Sequence, residues 1–140
     1  MDTSAALEFL RRHRDGVLTT IKLDGRPQLS NIVYLVGDDG VVRVSVTDDR
    51  AKTNNLRRDP RASLHVTQDD FWAYCVVEAD ATLLPVATSP DDPTCDALVE
   101  YYRTMAGEHP DWADYRRSMV EDRRLLLELT VTHAYGMLAT

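Results

Sequence analysis

Val17, Thr19 and Ile21 alternate with Leu18, Thr20 and Lys22, and a period of two predicts a strand over 16–22. Asp24-Gly25 is a strong hairpin signal, so the return strand runs over 27–36. Pro27 stands at its start, where a missing N–H is tolerated. After the turn at 37–40, Val42, Val44 and Val46 alternate with Arg43 and Ser45. The first half therefore reads as a three-stranded antiparallel meander over 16–22, 27–36 and 41–47. Two further strands are expected at 62–67 and 72–84, joined at Gln68-Asp69-Asp70, and a last one at 123–132. In that last strand Leu125, Leu127, Leu129 and Val131 alternate.

Helical spacing appears in four places. Leu7 and Leu10 mark a helix over 3–14, capped by a Thr or Ser. Asp48-Asp49 reads as the cap of a short helix over 50–58, stopped by Asp59-Pro60. Leu98, Tyr101, Tyr102 and Met105 predict a helix over 94–106; Trp112, Tyr115 and Met119 predict one over 111–121. About six strands in hairpin order with a few helices suggest a mainly β fold, a small antiparallel barrel with α decoration.

The chain has 140 residues and no linker or repeat, which suits one domain over 1–140. Its formal net charge is −7, which argues against a general nucleic-acid binder. No apolar run approaches the ~18 residues of a membrane span, and the charged start lacks a secretory pattern. Cys75 and Cys95 make neither a disulfide framework nor a Cys-x-x-Cys pair. The expectation is a soluble, cytoplasmic protein with no membrane partner.

One segment breaks the acidic trend. Residues 50–61 hold five basic groups and one acid. Arg50 and Lys52 fall in the first turn of a predicted helix, where free N–H groups and partial positive charge suit a phosphate. Arg supplies a planar fork and Lys a point charge. The alternative is a solvated basic face. Arg57, Arg58 and Arg61, a turn or more away, fit that alternative better.

Gln28, Ser30 and Asn31 are polar positions in an otherwise apolar strand. They suit a flat heterocycle lying along the strand, or simply make one wet face. Trp72 and Tyr74, expected to point the same way on a strand, suit an aromatic ligand, a dimer interface or plain core. His13, His65, His109 and His133 show no ligand spacing, so no metal site is expected. No Gly-x-Gly-x-x-Gly and no Gly-x-Ser-x-Gly is present, against a nicotinamide fold or a serine nucleophile.

The run from Gly16 to Asn31, the segment Arg50-Ala-Lys-Thr-Asn-Asn-Leu-Arg-Arg-Asp-Pro-Arg-Ala-Ser63, Ala106-Gly-Glu-His-Pro-Asp-Trp112 and Thr132-His-Ala-Tyr-Gly136 together resemble the pyridoxamine-phosphate-oxidase-like flavoproteins. They are most similar to the actinobacterial branch of F420-dependent (deazaflavin) reductases. The resemblance covers nearly the whole chain, in order. It implies an FMN-binding-like, six-stranded split β-barrel and a homodimer with two cofactor sites at the subunit interface. It implies coenzyme F420, or alternatively FMN, with Arg50 and Lys52 on the cofactor phosphate. Gln28, Ser30 and Asn31 then border the ring system, and Trp72 and Tyr74 close the site from the partner subunit. Ser45, Thr47 and Asn55 are weaker carry-overs.

The activity implied is transfer of a hydride from reduced deazaflavin to an electron-poor unsaturated small molecule. An FMN flavoprotein and a non-catalytic cofactor-binding protein are the alternatives. No side chain stands out as a catalytic acid. The last residues carry no arginines for a substrate phosphate, which argues against vitamin B6 oxidation.

Overall fold

The computed structural model describes residues 1–138. Helix α1 spans Thr3–Arg11. Its cap is Asp2, whose carboxylate accepts the Ser4 N–H, and not a Thr or Ser as expected. Ala6, Phe9 and Leu10 form its buried face. The helix stops three residues earlier than its spacing predicts, with Arg12 as its C-cap donating its N–H to the Phe9 carbonyl at 3.1 Å, and strand β1 (Asp15–Ile21) follows. The hairpin at Asp24-Gly25 leads into β2 (Pro27–Val33), with Gly25 N–H donating to the Lys22 carbonyl at 2.9 Å.

The expected return strand is interrupted. Tyr34 breaks it, and a two-residue β3 (Leu35–Val36) follows. Strand β4 (Val42–Thr47) meets the expected return strand only over the two residues of β3, not along β2. It pairs with β3 and with the last strand, β7 (Arg124–Met137). The others are β5 (Arg61–Thr67) and β6 (Tyr74–Leu83), and the sheet order is β2-β1-β5-β6-β7-β4-β3, antiparallel in every pair.

The two ends of that order, β2 and β3, are one residue apart in the chain. The sheet therefore curls back on itself into a split β-barrel. With β2 and β3 taken as one bent strand, it has six strands. Tyr34 makes the corner: its N–H donates to the Arg14 carbonyl at 3.1 Å and its buried hydroxyl donates to the Leu10 carbonyl at 2.7 Å. A register shift between Glu78 and Ala79 of β6 adds to the bend.

Two cores result. Inside the curl, Leu18, Leu64, Val77, Leu127 and Leu129 pack with Phe9 and Leu10 of α1. Each fully buried leucine contributes about 1.5–3 kcal/mol relative to exposure. Outside it, α3 (Pro93–Ala106) and α4 (Trp112–Glu121) cover Leu126 with Leu98, Val99, Tyr101 and Tyr115. Strand β7 is therefore buried on both faces along Leu125-Leu126-Leu127, not alternating as its spacing suggests. It also runs on to Met137, five residues past its expected end.

No helix among the described residues is long and apolar enough to cross a membrane.

Candidate cofactor site

Helix α2 spans Ala51–Arg58. Arg50 occupies its N-cap position, and no side chain caps it. The two expected caps are engaged elsewhere. Asp48 pairs with Arg57 and, at 2.6 Å, with Arg123; Asp49 accepts the Thr47 hydroxyl at 2.8 Å. Hydrogen bonds from Arg123 and then Arg57 hold the Asp48 carboxyl below its ordinary range. The first turn of α2 thus keeps N–H groups that no side chain has taken, an arrangement suited to an oxyanion.

Two cations at that turn are left without an ion pair. Arg50 and Lys52 make no ion pair among the described residues, whereas Arg43, Arg57, Arg61 and Arg123 all do. Lys52 is half-buried, and burial followed by the charges of Arg50 and Arg124 pushes its ammonium below the ordinary lysine range. Thr47 organises the approach: its carbonyl accepts the Arg50 N–H at 3.3 Å and the Thr53 hydroxyl at 2.8 Å. Ser45 lies two residues back on the same face of β4, half-buried, beside Arg124 of β7.

Helix α2 also packs on β1 and β2. Asn55 is buried there. Its amide donates to the Thr20 hydroxyl at 3.1 Å and accepts from Arg58 at 3.0 Å. Both ends of the side chain are engaged within the fold, so it ties α2 to the barrel rather than facing open space. Gln28 is the register partner of Thr20 and Ser30 that of Leu18, so both half-buried side chains lie on the inner face at the β2 edge. Asn31 does not join them. It lies opposite Val17 on the outer face, because successive strand residues alternate sides.

Trp72 and Tyr74 lie elsewhere again. Thr47 pairs with Arg124 and Leu83 with Leu127, which puts the start of α2 at the Leu83 end of β6. Tyr74 begins β6 at the other end, about 30 Å along the strand at ~3.3 Å per residue. Trp72 is not on the strand, as expected from the sequence, but in the turn before it. Asp70 accepts the Trp72 N–H at 3.0 Å, and Phe71 sits at a φ of 72°. That turn holds Phe71 82% and Trp72 74% exposed. With His65, Thr67, Tyr74 and Met137 they line an open cavity of about 640 Å³. The His65 and Tyr74 rings meet edge-on at 5.5 Å.

The sequence reading missed Phe71 and Met137. A Phe-Trp pair at a polar turn was a usable signal for the first. The second lay beyond the expected end of its strand. Among the described residues no three His, Cys, Asp or Glu side chains come together as a metal site.

The family model for pyridoxamine 5'-phosphate oxidase matches residues 3–138. Among solved structures, a conserved hypothetical protein from Mycobacterium tuberculosis superposes with a TM-score of 0.74 at 24% identity, over 98% of this chain and 84% of that one. An F420 reductase superposes with a TM-score of 0.68 at 22% identity, over 91% and 94%. A heme storage protein from Vibrio cholerae does so with a TM-score of 0.69 at 15% identity, over 98% and 96%. At these identities the likeness is one of fold.

Proposed function

The chain belongs to the pyridoxamine 5'-phosphate oxidase family, and from that premise we propose that it is an F420H2-dependent reductase acting as a homodimer. The observation that carries the reading is the uncapped start of α2, with Arg50 and Lys52 making no ion pair among the described residues. In a chain of net charge −7, two unpaired cations beside free helix N–H groups fit the phosphate that deazaflavin and flavin nucleotides share.

Arg50 and Lys52 would hold that phosphate, and the β2 edge with Gln28 and Ser30 would border the ring. When bound, reduced deazaflavin supplies a hydride. The chain's own part is binding, orientation and exclusion of water. The apolar wall of Phe71, Trp72, Tyr74 and Met137 suits a flat unsaturated acceptor. No side chain is assigned as proton donor.

In one chain that wall stands too far from α2 to share a site with it. A dimer resolves this, with the aromatic turn of one subunit closing the site of its partner. Leu29, Val33, Tyr135 and Met137 are exposed on the outer sheet face, and Tyr135 and Met137 stand on β7 beside Val76 and Tyr74. Sedimentation is expected to return twice the chain mass of 15.8 kDa; a single chain mass overturns the shared site.

Titration with coenzyme F420 and, separately, FMN tests the cofactor. The readout is tryptophan emission of a Trp112→Phe variant, which leaves Trp72 as the reporter. Quenching by F420 at lower concentration than by FMN, with F420H2 oxidised by an electron-poor enone, is the expected result. FMN binding alone makes the protein a conventional flavoprotein. Binding of F420 without turnover on any acceptor makes it a carrier, and binding of neither leaves only the fold.

A further inference from the structure

Two buried donors beside Ser45 of β4 have no hydrogen-bond acceptor among the described residues. Arg124 Nε is buried without a hydrogen-bond partner, and so is the Tyr101 hydroxyl, on a residue only 8% exposed. Buried polar groups are normally satisfied, and two unmet donors together call for an acceptor. They lie close to each other around Ser45: burial pushes the Tyr101 hydroxyl up, and the Ser45 backbone and then the Arg124 charge pull it back, while Arg124 reaches the Ser45 hydroxyl.

The backbone ties this pair to the site already described. Arg124 is the register partner of Thr47, whose carbonyl receives the Arg50 N–H. Its Nη1 donates to the Ser45 hydroxyl at 3.4 Å, a long and weak bond. Arg124 and Arg50 both depress the Lys52 ammonium, after burial, and none of the three makes an ion pair among the described residues. Such a cluster opposes folding unless something negative offsets it.

We propose that Arg124, with the Tyr101 hydroxyl and Ser45, is a third arm of the anion site at the start of α2, taking a second negative charge of a phosphate-bearing ligand. The inference rests on the cofactor reading above and extends it. The second charge has two possible sources with the same chemistry: the further ionisation of a phosphate monoester such as FMN, or a carboxylate of the glutamyl tail beyond the F420 phosphodiester.

The experiment measures affinity for F420, for its tail-less phosphate ester, for FMN and for riboflavin, which has no phosphate. The proteins are wild type, Arg124→Gln, Arg124→Lys, Tyr101→Phe and Arg50→Ala. Arg124→Gln is expected to weaken a charged ligand more than tenfold and leave riboflavin unchanged. Arg124→Lys restores part of the loss. Tyr101→Phe also weakens the charged ligand but keeps or raises the melting temperature, because it deletes an unsatisfied buried hydroxyl. A loss for F420 but not for its tail-less form assigns the charge to the tail; a larger loss for FMN assigns it to the phosphate.

Unchanged affinities in Arg124→Gln and Tyr101→Phe, with only a lower melting temperature in the former, overturn the third arm. If Arg50→Ala still weakens binding in that case, the cofactor reading stands without it. If Arg124→Gln acts and Arg50→Ala does not, the arm stands and the clamp at Arg50 fails.

Discussion

The Arg50→Ala/Lys52→Ala double variant is expected to bind F420 about 100-fold more weakly than wild type while folding normally. Hydrogen bonds to charged groups are worth about 1.5–3 kcal/mol each when made. Arg50 is exposed and Lys52 half-buried, so the lower end applies. Two such contacts give about 3 kcal/mol, roughly two powers of ten in affinity.

The melting temperature is expected to hold or rise slightly. Neither side chain makes a hydrogen bond or ion pair that its removal would break, and Lys52 is repelled by Arg50 and Arg124. Added salt shrinks the difference between the two proteins. A bound phosphate also raises the depressed Lys52 pKa, so binding takes up protons. Affinity falls as pH rises through the free-state Lys52 pKa, and Lys52→Ala lacks that limb. Equal affinity in the double variant and wild type removes the clamp.

Gly136→Ala is expected to cost roughly 3 kcal/mol or more of stability, from steric overlap and backbone strain together. Gly136 has a φ of 150° and pairs with Cys75 across the β6–β7 ladder. A Cβ there would stand 2.3 Å from the Tyr74 carbonyl oxygen and 2.9 Å from the Cys75 Cα, both backbone atoms that cannot swing aside. The strands must part where they carry Tyr74 and Met137. Thermal unfolding checks it, with Gly25→Ala as control. Gly25 also has a positive φ, 86°, but nothing within 4 Å of its Cβ position, so only strain applies. Equal shifts in the two variants would show that the contact at Gly136 is not what matters. The same Gly136→Ala variant is expected to alter the emission of Trp72, which the neighbouring turn presents.

Local pattern was enough for most of the elements. Alternation marked β1 and β4, Asp24-Gly25 marked the hairpin, and helical spacing marked α3 and α4, because each of these depends on residues near one another in the chain. The basic run at 50–61 was visible as composition for the same reason. Pattern failed where a neighbour distant in sequence set the outcome. Leu126 looked like an outward position until α3 and α4 covered it. The strand over 27–36 looked continuous until Tyr34 found Leu10 and Arg14 and turned the chain from one edge of the sheet to the other. Asp48 looked like a helix cap, but Arg123, 75 residues on, took it.

The site divides along the same line. Arg50 and Lys52 were legible, since a cation pair at a helix start is local. Asn55 looked like a ligand contact and lies against Thr20; Asn31 looked like a partner of Gln28 and Ser30 and faces the other way. Arg124 and Tyr101 carried no signal, as nothing near them in the chain sets both beside Ser45. Residue types and their near spacing fixed the strands, the hairpin and the positive charge at the start of α2. Which donors meet there, and which aromatics stand a barrel's length away, followed from the curl of the sheet, because burial and pairing between distant strands outweigh any local preference.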